Sequence, residues 1–216
     1  MNRHKPGHKS RPYRAIVLDY GMVLCNAPTF QQVERIAEVF HVEHATFWDL
    51  YEKNRLLYDR CDLTPREYWS RFAEDAQTVL ADATIERLQA WDIEMWSSLE
   101  PSMLRWAVSL KTHGYKTGLL SNLHQKFARE LRTNATWLGN FDCQIFSSEV
   151  RLAKPDPAIF QLCLHSLRVN AQDVLFVDDR QSNIDVARNE GISAICFRSV
   201  EQLRTELRAM GVDVLP

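Results

Sequence analysis

The 216-residue chain predicts a doubly wound α/β fold, a parallel sheet with helices on both faces, interrupted by an inserted all-α segment. Three observations predict it. Short continuous apolar runs at 15–18 (AIVL), 117–120 (TGLL) and 174–177 (VLFV) suit strands covered on both faces. Helical patterns alternate with these runs at 102–113, 125–137, 157–168 and 183–190. The interval 28–98 breaks the alternation, with helical patterning and no convincing strand.

In chain order, the basic opening over 1–13 reads as a solvated tail, because short Lys/Arg/His/Pro-rich termini bury too little apolar surface to order themselves. The α/β core takes 14–27 and 99–216, and the helical insertion takes 28–98. Within the insertion, helices are predicted at 30–40, 45–57, 65–80 and 84–96. The third has the clearest start: Thr64 is placed as N-cap, Pro65 at the first helical position and Glu67 to complete a capping box. Weaker strands are predicted at 143–146 and 194–197, and Gly191 is placed to terminate the helix at 183–190.

Composition excludes several classes of function. A formal net charge of -2 provides no chain-wide positive field, which argues against nucleic acid as a partner. No apolar run approaches the roughly 20 residues that cross a bilayer, and the opening lacks the apolar centre of a secretory signal. The predicted setting is cytoplasmic, with no membrane partner; oligomeric state is left open. Cys25, Cys61, Cys143, Cys163 and Cys196 are odd in number, scattered and without a Cys-x-x-Cys pair, so buried free thiols are expected.

In an open α/β sheet, ligands gather beyond the carboxyl ends of the strands. Asp19, Ser121 and the pair Asp178-Asp179 each fall at such an end. Lys154 precedes Pro155 in LAKPDP, a stiff turn that leads into a helix. Three carboxylates, a lysine and a hydroxyl form a coherent set for phosphoryl transfer, with a divalent cation offsetting the repulsion between acids and phosphate. A carboxylate nucleophile divides hydrolysis into two steps. Ser121 and nearby N–H groups would hold phosphate oxygens, and Lys154 would neutralise charge beside the nucleophile.

The segments LDYGMVL, LLSN, AKPDPAIF and FVDDRQSNIDVARNEGI resemble the four ordered motifs of haloacid dehalogenase-like hydrolases and span nearly the whole chain. The helical insertion is similar to that family's small helical cap, which closes over the core and helps select the substrate. The resemblance implies a Mg2+-dependent phosphatase acting on a small phosphorylated metabolite such as a sugar phosphate, through an aspartyl-phosphate. Carried over by position, it makes Asp19 the nucleophile and a metal ligand, Gly21 a ligand through its carbonyl, and Ser121 and Asn122 the phosphate-binding turn. Lys154 becomes the charge-neutralising residue. Asp178 and Asp179 complete the metal site, with the direct ligand of the two left open. Asn183 either supports this loop or caps the following helix.

Gly21 departs from the pattern, since phosphatases of the family usually carry a second aspartate there as acid/base. General acid–base help is worth roughly 10²- to 10⁴-fold, so proton transfer is the step affected. Members similar to a glucose-1-phosphate phosphatase share this glycine. The expectation is that the leaving group demands little, or that another residue or water donates the proton. Rival readings are a weakly active binding or regulatory protein and, further off, a haloacid dehalogenase, to which Tyr20 bears a displaced similarity. The phosphatase-like domain attached to some epoxide hydrolases is set lower because no second domain follows Pro216. In the cap, Trp48, Tyr51, Arg55, Tyr58, Arg60, Trp69 and Trp91 are candidate substrate contacts, with packing or surface placement expected for most. His124 is expected at the surface, and Cys25 as a filler thiol.

Overall fold

The computed structural model describes residues 11–216. A five-stranded parallel sheet runs in the order β3-β2-β1-β4-β5, built from β1 (Ala15–Leu18), β2 (Lys116–Ser121), β3 (Cys143–Phe146), β4 (Val174–Asp178) and β5 (Ser193–Cys196). The three strongest sequence runs form β1, β2 and β4, the centre of the sheet, where both faces are covered. Gly118 sits mid-strand because a Cβ there would meet Val17 Cγ2 at 3.0 Å and Leu167 Cδ1 at 3.3 Å.

Alternation along β1 divides the core. Ile16 and Leu18 face one layer with α6 (Pro101–Thr112), α7 (Gln125–Asn134) and α11 (Val200–Ala209). Ala15 and Val17 face the other, with α9 (Pro157–Leu167) and α10 (Gln181–Asn189). Gly191, at φ +81°, ends α10 in the left-handed conformation expected of it. A single turn, α8 (Ser147–Val150), follows β3 directly.

The inserted helices are α1 (Phe30–Phe40), α2 (His44–Lys53), α3 (Arg55–Asp59), α4 (Pro65–Asp75) and α5 (Asp82–Met95), packed around a buried cluster of their own that includes Phe40, Phe47, Trp69 and Phe72. The capping box read at Thr64 forms: Glu67 N donates to Thr64 Oγ1 at 3.2 Å, and Thr64 N to Glu67 Oε2 at 2.7 Å. The chain enters and leaves the insertion side by side, with Asn26 N bonded to Ser98 O at 2.7 Å and Glu100 N to Leu24 O at 2.9 Å.

Several sequence expectations need correction. The helix expected at 45–57 is two, because Asn54 leaves helical geometry at φ -120° and ψ 8°. The one expected through 80 stops at Asp75, and Gln77 turns at φ 55°. The one expected through 137 stops at Asn134 and gives way to a 3₁₀ turn at Thr136–Asn140. Helix α11 lies where no helix is expected from the sequence patterns above. Of the tail expected over 1–13, residues 1–10 lie outside the described residues, and at 11–13 the expectation fails: Tyr13 is buried in the core and Arg11 Nη1 donates to Gly114 O at 2.9 Å. All five cysteines are free, but Cys61 and Cys196 are only half-buried.

Candidate active site

Strand β1 lies between β2 and β4, and it is at this reversal of strand order that an open α/β sheet leaves a crevice. Register fixes what meets there, because Leu18 pairs with Leu119 on one side and Val177 on the other. Asp19, Ser121 and Asp178 therefore emerge together at one edge.

Lys154 reaches this edge from the segment between α8 and α9. Its Nζ lies 2.8 Å from Asp19 Oδ1 and 2.6 Å from Asp178 Oδ2, with the lysine almost wholly buried. Asn122 holds the lysine's backbone: its Nδ2 donates to Lys154 O at 2.8 Å, and its Oδ1 accepts from Lys154 N at 2.9 Å. The Asn122 side chain is thus committed to placing Lys154, which leaves its backbone for the turn. Asn183 Nδ2 donates to both oxygens of Asp178, at 2.9 and 3.0 Å. Arg180 is the N-cap position of α10, and its N–H donates to Asp178 Oδ1 at 2.8 Å.

Burial, which disfavours charge, pushes the Asp19 carboxyl up, and Lys154 opposes it. Burial acts on Lys154 the other way, but Asp178 and Asp19 outweigh it and hold the ammonium above its ordinary range. Asp179 is pushed up to about 7 by burial and by the charges of Asp19 and Asp178. Asp19, Asp178 and Asp179 each offer a carboxylate oxygen within 4.8 Å of the others, while a single lysine lies between two of them. The cluster carries more negative charge than Lys154 balances, and its all-oxygen donors suit a hard divalent cation such as magnesium. Asp178 already has both oxygens engaged, whereas Asp19 and Asp179 line the open cavity.

That cavity measures about 280 Å³. From the core, Asp19, Gly21, Ser121, Lys154 and Asp179 line it; from the helical insertion, Tyr51, Arg55, Asp59 and Trp96 do. Of the cap candidates, Tyr51 and Arg55 therefore reach the cavity. Tyr58 and Trp69 belong to the cap's buried cluster, Arg60 pairs with Asp62, and Trp91 lies under the Arg35 and Arg87 guanidinium groups. Tyr20 is buried, donates its OH to Trp96 O at 2.9 Å and stacks on Trp137. Cys25 is buried, with its thiol pushed up to about 12, which suits a filler role.

The expectation for His124 was wrong. The ring is buried, stacks on Tyr58 at 4.8 Å and places Nε2 3.3 Å from Asp92 Oδ2 in the insertion. Asp92 in turn accepts from Arg55 Nη1 at 2.9 and 3.0 Å and from Tyr51 OH at 2.5 Å. This buried network, with Asp59 beside it, was not read from the sequence. Its one legible trace was the presence of charged residues in otherwise helical, core-forming segments.

These features define an α/β core with a capped, acid-rich crevice. Residues 13–191 match the haloacid dehalogenase-like hydrolase family, and the chain belongs to it. Among relatives, it is 28% identical over 197 residues to drimenol cyclase drtB of Aspergillus calidoustus, covering 90% of this chain and 36% of the cyclase. It is 28% identical over 129 residues to a phosphoglycolate phosphatase of Yersinia pseudotuberculosis, covering 59% of this chain and 56% of that enzyme. The chain thus spans only about a third to about half the length of these two relatives. Among solved structures, a HAD family enzyme from Bacteroides thetaiotaomicron superposes with a TM-score of 0.73 at 21% identity, over 92% of this chain and 100% of that one. Its complex with magnesium and inorganic phosphate superposes with a TM-score of 0.69 at 20% identity, over 86% of this chain and 94% of that one.

Proposed function

We propose that the chain is a magnesium-dependent phosphatase that hydrolyses a small phosphorylated metabolite, such as a sugar phosphate, through an aspartyl-phosphate at Asp19. One observation carries this reading: a buried lysine ammonium joins Asp19 to Asp178 beside a cavity that Asp19, Lys154 and Asp179 line. The phosphatase relative and the neighbour bound to magnesium and phosphate support it.

Asp19 attacks phosphorus as the bond to the leaving oxygen breaks, and water then cleaves the acyl phosphate. Lys154 neutralises charge beside the attacking carboxylate, and the Ser121 hydroxyl with N–H groups of its turn holds phosphoryl oxygens in place. Asp178, bonded by Lys154, Asn183 and the Arg180 N–H, keeps the lysine in position. Asp19, Asp179 and the Gly21 carbonyl, with Asp178 beside them, would hold magnesium, which would supply positive charge against the phosphoryl oxygens. The cavity volume of about 280 Å³ favours a small substrate.

The test is magnesium-dependent phosphate release from an activated aryl phosphate and a panel of sugar phosphates. Native protein is expected to turn over, and Asp19→Asn to fall on the order of 10⁴-fold or more in kcat. Turnover that survives in Asp19→Asn removes the mechanism.

A further inference from the structure

Gly21 leaves the first motif without a side-chain acid, and a Cβ built there meets nothing within 4 Å, so no neighbouring group occupies its place. Carboxyl groups that line the cavity are Asp19, Asp179, Glu52 and Asp59. Asp19 and Asp179 belong to the acidic cluster, and Glu52 is exposed and paired in a fork with Arg180 at 2.6 and 3.0 Å. Asp59 is different: 5% exposed and the last residue of α3.

Two hydrogen bonds tie Asp59 to the turn that follows β2. The Ser147 hydroxyl accepts from Leu123 N at 2.9 Å and donates to Asp59 O at 2.7 Å, so the cap backbone at this residue is fastened to the segment that begins at Ser121. The Asp59 carboxyl is only half satisfied. Its Oδ2 accepts from Arg55 Nε at 3.1 Å, whereas Oδ1, although 3.0 Å from the same nitrogen, accepts no hydrogen bond among the described residues. Arg55 is shared, since its Nη1 is given to Asp92.

We propose that Asp59 is the general acid/base of this site, supplied by the cap in place of the side chain that Gly21 lacks. The inference rests on the phosphatase reading above. In the first step the Asp59 carboxyl gives its proton to the leaving oxygen as the P–O bond breaks and the Asp19–phosphorus bond forms. In the second, the Asp59 carboxylate takes a proton from the water that attacks phosphorus, and the Asp19–phosphate bond breaks. The proton count is restored over the cycle.

Burial pushes the Asp59 carboxyl up, which favours the protonated form that a donor needs. Arg55 on its own helix and His124 from the core act against this, and Asp92 from α5 acts with it; Tyr58 and Tyr68 are the other titratable groups near it, each pushed up in part by its charge.

The test is a leaving-group series with magnesium, from an activated aryl phosphate that needs no proton to an alkyl phosphate that does. Asp59→Asn is expected to lower kcat/KM for the alkyl ester on the order of 10²-fold or more, far more than for the aryl ester. Adding Gly21→Asp to Asp59→Asn is expected to recover much of the alkyl-ester rate, which a merely structural loss would not. Equal losses on both esters, or no loss on either, overturn the proposal. Should Asp59→Asn fail to fold, native protein still decides: kcat/KM must fall on the alkaline side for the alkyl ester and not for the aryl ester, and parallel profiles overturn it. Failure of native protein to hydrolyse even the aryl ester is a different result, which removes the phosphatase reading itself and this inference with it.

Discussion

Two buried clusters, one in the core and one in the cap, are built alike and behave in opposite ways. Each sets one cation between two aspartates: Lys154 between Asp19 and Asp178, and Arg55 between Asp59 and Asp92. In each, one acid is closed off by further donors, Asp178 by Asn183 and the Arg180 N–H, Asp92 by Tyr51. The difference lies in the charge left over. The core adds Asp179, which is pushed up to about 7, whereas in the cap burial pushes Asp92 up but Arg55, His124 and Tyr51 more than offset it, bringing the carboxyl down to about 2. Three acids around one lysine, facing a cavity, suit cation and substrate binding, whereas Asp92, fully buried and bonded by Arg55 and Tyr51 away from the cavity, suits holding helices together.

The largest effect expected from this contrast is on chemistry in the core. Lys154→Met is expected to lower kcat on the order of 10²- to 10³-fold, measured as phosphate release from an aryl phosphate. A value near native would mean that the lysine does not act on the reacting group.

Arg55→Met strips the cation from two buried acids of the cap and is expected to cost about 3–5 kcal/mol in denaturant unfolding. An unchanged midpoint would show that the cap cluster does not hold the insertion together. Acid sensitivity sharpens the same point. Because the folded-state pKa of Asp92 is depressed to about 2, its contribution is present above its unfolded pKa and lost as pH falls toward 2. Replacing it by Asn should reduce the loss of stability across that window by about 2 kcal/mol, read as the difference between native and Asp92→Asn. Asp59, pushed up, works with the opposite sign, so the difference and not the native curve alone is informative.

The smallest effect is expected at the solvent-facing fork between Arg180 and Glu52, whose side chains are 56% and 41% exposed. A double-mutant cycle of Arg180→Ala and Glu52→Ala should give a coupling of about 0.2–1 kcal/mol. A larger value would mean that this exposed pair fastens cap to core more strongly than a solvent-screened ion pair should.

Local sequence determined a good deal of this. Continuous apolar runs marked the three central strands because a strand covered on both faces tolerates little else. The Thr64 capping box was legible because its donors and acceptors lie within one turn. The same kind of signal stands before α11, where Ser199 and Gln202 form a capping box ahead of Leu203 and Leu207. Asp19, Ser121, Lys154 and the Asp178-Asp179 pair could be named because each follows a strand or a stiff turn whose end is itself a local feature.

What no local pattern contained is long-range pairing. Nothing around His124 says that it is buried against Tyr58 and Asp92, and nothing around Asn122 says that its amide is used by Lys154, 32 positions on. A charged residue in a helix reads as surface unless its partners are known, and for Arg55 one of the two, Asp92, is 37 positions away while only Asp59 is local. Sequence alone therefore determined the three central strands, the chemistry-bearing residues at their ends and the helical character of the insertion, because those depend on periodicity within a few residues. Only the tertiary structure decided which carboxyls are satisfied and which face the cavity, because burial and charge balance depend on neighbours that the chain brings together only on folding.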